Sequence, residues 1–231
     1  MKPLLLLDFD GVLFNSAYEA YQVCEHFASK HPEYRRSVDF EEFMGFRSYL
    51  TDAWQFCRLY QKNRLLDDVQ KLYIVKPDEH DWEFSKRFFE ARAEMMKDDD
   101  WAKLMSPYPF FYQLRPLLKQ YSDSFKILST RNVASIQKTL DFFEADGIEI
   151  YGQEHIREHG SKLGVAKHNK WLSNGCYVFY IDDMNSHLEP FKNEVDLCIH
   201  VNWGYDVSTS NSYTQEQAFH LIQGFLRIAY E

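Results

Sequence analysis

Leu4-Leu5-Leu6-Leu7-Asp8-Phe9-Asp10-Gly11-Val12-Leu13 is the stretch that decides the fold. Four leucines run into two carboxylates spaced i, i+2, and a glycine follows at once. A short apolar run closed by Asp and Gly reads as a buried strand that stops abruptly. Alternate strand residues share a face, so Asp8 and Asp10 reach the same spot if the strand extends that far. Converging carboxylates repel each other unless a cation sits between them, and a hard divalent ion such as Mg2+ suits oxygen ligands of this kind. Two plainer readings compete. One is a pair of turn-forming aspartates. The other, a calcium loop, fails because an EF-hand needs Asp or Asn at its fifth position, where this chain has Val12.

Four further apolar runs read as strands: Phe125 to Ser129, Ile148 to Tyr151, Tyr177 to Ile181 and Leu197 to Val201. Between the later ones, Ile136, Leu140 and Phe143 share a helical face, and a second helix is predicted over about 162–172. Strands alternating with helices imply an α/β fold, a doubly wound parallel sheet with helices on both faces. The gap between the first strand and Phe125 is helical in pattern instead. Leu50, Ala53, Trp54 and Cys57 follow helical spacing, Leu65 to Tyr73 continue it, and Trp82 to Met96 gives a third helix. The chain therefore divides into an α/β core of 1–15 and 106–231 and an inserted α-helical domain of 16–105, with Pro107 and Pro109 marking the return.

Composition narrows the function. Hydrophobic residues make up 45% of the 231, enough for a full core, and the net charge is −9. Neither part has a basic block, which argues against nucleic acid as a partner. Cys24, Cys57, Cys176 and Cys198 lie far apart with no CxxC, the pattern of reduced, mostly buried thiols in a cytoplasmic protein. The apolar run after Met1-Lys2-Pro3 is too short for a signal peptide. No run approaches the ~20 residues of a membrane span, so no membrane partner is expected.

The later strands also end in reactive residue types. The second runs into Ser129-Thr130-Arg131-Asn132 and the fourth into Asp182-Asp183. Ligands of doubly wound sheets bind outside the carboxyl ends of the strands. Lys162 joins them because the helix after the third strand starts at that face, with Ser161 as a good N-cap. Lys167 and Lys170 would lie about 7 and 12 Å further down the helix axis. The plain alternative for Lys162 is a solvated helix residue.

Asp-x-Asp-Gly-Val, a strand-end Ser, a helix-start Lys and a strand-end Asp-Asp form an ordered set. It resembles the four motifs of the haloacid dehalogenase-like hydrolase superfamily across 1–15 and 106–231, and Val201-Asn202-Trp203-Gly204-Tyr205 resembles the family's segment after the fifth strand. The resemblance implies that Asp8 is a nucleophile forming an aspartyl phosphate. It makes Asp10 the general acid and base, with its carbonyl a metal ligand. Ser129 and the Thr130 amide would hold phosphoryl oxygens, and Lys162 would balance the charge. Asp183 would bind Mg2+ directly, with Asp182 in a water-mediated or supporting role. His187 reads as a surface histidine rather than a ligand.

The resemblance also implies that 16–105 is a type 1 helical cap, a lid that excludes water and selects substrates. Met44-Gly45-Phe46-Arg47 is similar to a family cap loop whose Arg faces substrate, and Arg131 is a second candidate for substrate contact. Because Asp10 is present, the reaction expected is phosphoryl transfer rather than carbon–halogen hydrolysis. The expectation is a Mg2+-dependent phosphatase for a small phosphorylated metabolite, monomeric or homodimeric. The alternatives are a phosphomutase, a phosphonate-cleaving relative, and a non-catalytic binding protein on the same scaffold.

Overall fold

The computed structural model of the protein describes residues 2–34, 38–60, 76–145, 147–173, 175–206 and 211–230. In chain order, strand β1 (Lys2–Leu7) and the short β2 (Phe14–Asn15) are followed by helices α1 (Ala17–Lys30), α2 (Phe40–Phe46), α3 (Ala53–Tyr60) and α4 (Glu79–Met95). Then come β3 (Ser106–Pro107), α5 (Pro109–Gln120), β4 (Phe125–Leu128), α6 (Val133–Phe142), β5 (Glu149–Tyr151), α7 (Gln153–His159) and α8 (Lys162–His168). The chain finishes with β6 (Cys176–Asp182), α9 (Asn185–Leu188), β7 (Leu197–His200) and α10 (Gln215–Tyr230). Two compact units result, one of 1–15 with 106–231 and one of 16–105. The helix predicted for Leu65 to Tyr73 lies outside the described residues.

The larger unit is the doubly wound α/β sheet read from the sequence. Its five parallel strands are ordered β5-β4-β1-β6-β7. The strand order reverses at β1, so the crevice of such a sheet opens at the carboxyl end of that strand. Leu4 to Leu7 fill the sheet's centre because β1 pairs on both sides, and a strand buried on both faces is apolar at every position. Leu4 and Leu6 share one face with Val178 and Tyr180 and pack against Val165 and Ala166 of α8 and against Phe191. On the opposite face Phe179 stacks on Phe225 of α10, with ring centroids 4.0 Å apart.

The helix expected over 162–172 stops at His168, and Lys170 follows with φ of 58°. Cys24 is buried, but Cys176 and Cys198 are only half-buried, so the expectation of mostly buried thiols holds for one of the three described. No helix among the described residues is long and apolar enough to cross a membrane.

The unit of 16–105 has its own core, which accounts for its aromatic content. The buried face of α1 (Ala20, Val23, Cys24, Phe27, Ala28) packs with Phe43, Phe56, Phe84 and Phe88. Phe27 meets Phe84 edge-on, and Phe56 stacks on both Phe43 and Phe88. Among its described residues, two charged contacts are buried. Arg58 pairs with Asp81, which also closes the capping box of α4 with Asp78. Arg92 grips Glu19 with two bonds of 2.8 and 3.0 Å, its guanidinium 4.6 Å above the Phe88 ring.

A buried pair is costly to break, because the partner left behind keeps its desolvated charge. Arg92→Ala should therefore lower stability by about 3–5 kcal/mol. Replacing both Glu19 and Arg92 by apolar residues of similar volume should recover much of that. Urea denaturation of the three proteins checks it, and a loss below about 1 kcal/mol for Arg92→Ala, the scale of an exposed pair, would show that the pair is not buried in solution.

Candidate active site

The sheet register brings the first two carboxylates together. Leu6 lies beside Tyr180 and Leu7 beside Ile181, and the Asp8 amide donates to the Ile181 carbonyl at 2.9 Å. Continuing that register sets Asp8 beside Asp182, on the same face as Leu6 and Tyr180. Both side chains are almost fully buried.

Lys162 sits between them, with its ammonium 3.1 Å from Asp8 Oδ1 and 2.7 Å from Asp182 Oδ2. Gly160, at φ of 79°, ends α7 in a left-handed turn. Ser161 then caps α8, its hydroxyl accepting from the Gly164 amide at 2.9 Å, so Lys162 is the first helical residue. A cation is unfavourable there, because the helix dipole is positive at its N-terminus. The two carboxylates offset that cost. The side chain is 6% exposed, which rules out the reading of Lys162 as a solvated helix residue.

Asp182 is held on every side. Its Oδ2 accepts from Lys162 and from the Tyr180 hydroxyl, and its Oδ1 accepts from the Met184 amide at 2.8 Å. His187 Nδ1 lies 3.3 Å from Asp182 and 3.3 Å from Lys162 Nζ. His187 is thus part of the site rather than the surface histidine expected. Burial pushes the Asp182 carboxyl up, but Lys162 and His187 outweigh it and hold it well below the usual carboxylate range. Asp8, Asp182 and His187 offer ligand atoms within 4.8 Å of one another, a geometry that can hold a cation. The cation they surround here is the Lys162 ammonium, which takes up Asp182 Oδ2.

Asp183 is set differently. Its Oδ2 accepts from the Tyr205 amide at 2.6 Å, and His200 Nε2 donates to its backbone carbonyl at 2.9 Å. Gly11, at φ of 85°, and Gly204 both lie so close that a Cβ on either would overlap the Asp183 side chain. The loop after β7 and the turn after β1 thus form a socket that only glycines permit. Trp203 Nε1 ties that loop to the Val12 carbonyl at 3.1 Å.

Asp10 is clasped by Arg131, whose Nε lies 3.0 Å from both carboxylate oxygens. Arg131 is 3% exposed, with its guanidinium 5.7 Å from the centre of the Phe9 ring. Ser129 is buried at the end of β4, its amide donating to the Tyr151 carbonyl at 3.0 Å and its Oγ facing the Arg131 amide at 3.4 Å. Thr130 is half-buried beside it. Arg47 belongs to the other unit, where its Nη1 donates to the Leu50 carbonyl at 2.5 Å and closes the turn after α2.

Sequence reasoning missed Tyr180, His187, His200 and Tyr205 as parts of the site. Tyr180 had a usable signal, since it stands two residues before Asp182 and shares its strand face. The Tyr205 amide had none, because a backbone donor leaves no trace in residue type.

No protein-family model matches the chain, and no curated protein does. Solved structures do. A protein assigned as a phosphoglycolate phosphatase from Lactobacillus delbrueckii matches with a TM-score of 0.66 at 15% identity, over 96% of this chain and 99% of that one. A haloacid dehalogenase-like hydrolase from Streptococcus pneumoniae gives 0.62 at 14%, with the same coverage. A protein assigned as a phosphatase from Clostridium acetobutylicum gives 0.61 at 16%, over 99% and 98% of the two chains. At these identities the likeness is one of fold.

Burial pushes the Asp8 carboxyl above the usual carboxylate range; Lys162 pulls it down and Asp182 adds to the rise. An acid whose pKa is higher folded than unfolded costs stability once it ionises. The cost is absent below about pH 4, where both states are protonated, and complete above the folded pKa. Asp8→Asn should therefore raise Tm at pH 7 in chelator-treated protein, by about 2–4 °C per kcal/mol relieved. The gain should fade towards pH 4. Calorimetry at the two pH values checks this, and a lower Tm for the variant at pH 7 would refute it.

Proposed function

We propose that this chain, which has the fold of the haloacid dehalogenase-like hydrolases, is a Mg2+-dependent phosphatase acting on a small phosphorylated metabolite. One observation carries the reading: a buried lysine ammonium lies against a buried strand-end carboxylate, Asp8, at the switch point of the sheet. A carboxylate held there is a nucleophile with a charge partner for the anion it attacks.

In this reading Asp8 attacks phosphorus and becomes an aspartyl phosphate while the ester oxygen leaves. Lys162 bears the negative charge that Asp8 and the phosphoryl oxygens share. Ser129 Oγ and the Thr130 amide hold those oxygens in line. Asp10 gives a proton to the leaving oxygen and later takes one from the attacking water. Arg131 docks Asp10 between these steps, so Asp10 must turn from the guanidinium to the leaving oxygen to act. This makes Arg131 a partner of the acid–base residue before it is a contact for substrate.

The donor set suits Mg2+. Asp8 and Asp183 supply carboxylates and Asp10 a carbonyl, all oxygen ligands, and the Gly11–Gly204 socket aims Asp183 at the turn that carries Asp10. Bound there, the ion would neutralise charge on the transferring phosphoryl group. Asp182 supports Lys162 instead of the metal. The 16–105 unit acts as the cap that selects the substrate, with Arg47 contributing to recognition. The protein works in the cytoplasm, as a monomer or homodimer.

Rapid-quench trapping of phosphoenzyme with acetyl phosphate or p-nitrophenyl phosphate tests the assignment. Asp8→Asn should form none. Asp10→Asn should still form it with these activated leaving groups but release phosphate slowly, since no base remains for water. Turnover should stop in chelator and return with Mg2+. Covalent phosphate on the Asp8→Asn protein, or turnover indifferent to chelation, would sink the reading.

A further inference from the structure

The structure assigns Tyr180 and His187 as positioning residues that hold Lys162 against Asp8 by fixing the Asp182 carboxylate. This deepens the phosphatase reading and rests on it for the role of Lys162, but the contacts themselves stand independently.

Lys162 cannot fix its own position. Its stem has four rotatable methylenes, and its Nζ is a point charge with no preferred plane. It stands at the first position of α8, where the helix dipole works against it. Asp182 is what it rests on, by the shorter of its two ion pairs, 2.7 Å against 3.1 Å to Asp8. A carboxylate aims an ammonium only if its own rotation is stopped. Met184 N–H holds Oδ1 at 2.8 Å, and the Tyr180 hydroxyl donates to Oδ2, the same oxygen that takes Lys162. The two donors pin the carboxylate plane from opposite ends.

Tyr180 itself cannot drift. It is fully buried on β6, and its ring packs on Phe191 at 4.3 Å between centroids. The Lys162 ammonium also lies 5.7 Å from the centre of that ring, within cation–π range. One aromatic residue thus holds the carboxylate by its hydroxyl and faces the ammonium with its ring.

His187 closes the remaining side. Its Nδ1 is 3.3 Å from both Lys162 Nζ and Asp182. Without a hydrogen, Nδ1 accepts from Lys162; with one, it donates to Asp182. Either arrangement ties it to the pair. Because Asp182 is fully buried, water cannot replace a lost donor, so deleting one leaves the network partly satisfied.

The test uses Tyr180→Phe, His187→Gln and the double variant of the full chain, with Lys162→Met and Ser124→Ala as references. Ser124 is a buried hydroxyl of the same unit, bonded to Tyr230 and outside the proposed machinery. Two readouts are taken. The first is the Lys162 ammonium signal in a 1H–15N correlation spectrum, identified by its loss in Lys162→Met. It should be sharp in the parent, and shifted or broadened by faster exchange in Tyr180→Phe and His187→Gln, but not in Ser124→Ala. The second is kcat and KM for p-nitrophenyl phosphate with Mg2+. Each single variant should lose about tenfold in kcat with KM within about twofold, the pattern of an interaction needed in the transition state. Both act through one carboxylate, so the double variant should lose clearly less than the product of the single losses.

An unchanged Lys162 signal in both single variants, or a kcat loss no greater than that of Ser124→Ala, overturns the proposal. If the parent turns over no phosphate ester, the phosphatase reading fails, and the Lys162 signal still decides whether Tyr180 and His187 hold the lysine.

Discussion

Two carboxylates on neighbouring parallel strands cannot stay buried and ionised side by side unless a cation lies between them. The strand register puts Asp8 and Asp182 in that position, and the Lys162 ammonium is the cation. Much of the sheet's local chemistry follows from this contact. The first turn of α8 must start within reach of both strand ends, which fixes where α7 stops and why Gly160 and Ser161 come next in sequence. Tyr180, His187 and the Met184 amide then complete the hydrogen bonding of Asp182. Repulsion is thereby turned into a fixed charge arrangement at the carboxyl end of β1.

Asp183 is governed by a different constraint, space. A buried carboxylate needs donors, and Asp183 receives one from the backbone of the loop after β7. For that loop and the β1 turn to come close enough, Gly11 and Gly204 must lack side chains. Adjacent aspartates thus end in unlike surroundings. One faces a lysine and a tyrosine, the other two glycines and a backbone amide. That difference separates the holder of the ammonium from the candidate metal ligand, which their neighbouring positions in the chain could not do.

Among its described residues, the unit of 16–105 is organised by aromatic packing and buried ion pairs rather than by a sheet. Its many Phe, Tyr and Trp residues are mostly spent on its own core, so their number says little about a substrate. Arg47, the residue that most resembled a recognition group, donates through Nη1 to a carbonyl three residues on, which anchors one end of its guanidinium. The residue missed there was Arg92. Its partner Glu19 is 73 positions away, and no local pattern could join them.

The sequence by itself determined the strands, their alternation with helices, and the places where carboxylates, a serine and a lysine stand at element ends. These are local matters: apolar periodicity sets the elements, and Asp, Gly and Ser mark where they stop. It also put Asp8, Ser129 and Asp183 at strand ends on one side of a doubly wound sheet, because parallel topology leaves few other arrangements. Lys162 is legible there only if its helix directly follows the third strand, whereas α7 comes first and α8 starts only after the Gly160–Ser161 turn. The family resemblance already set Lys162 against Asp8; only the tertiary structure decided the other partners of these cations. Arg131 went to Asp10, and Lys162 went to Asp182 as well as Asp8. It also decided that Tyr180 and the Tyr205 amide belong to the site and that α8 ends at His168. The physical reason is that a hydrogen bond or ion pair depends on separations of a few tenths of an ångström between groups far apart in the chain. Residue spacing carries no record of such distances; they are set when the strands fall into register and the loops pack against their ends.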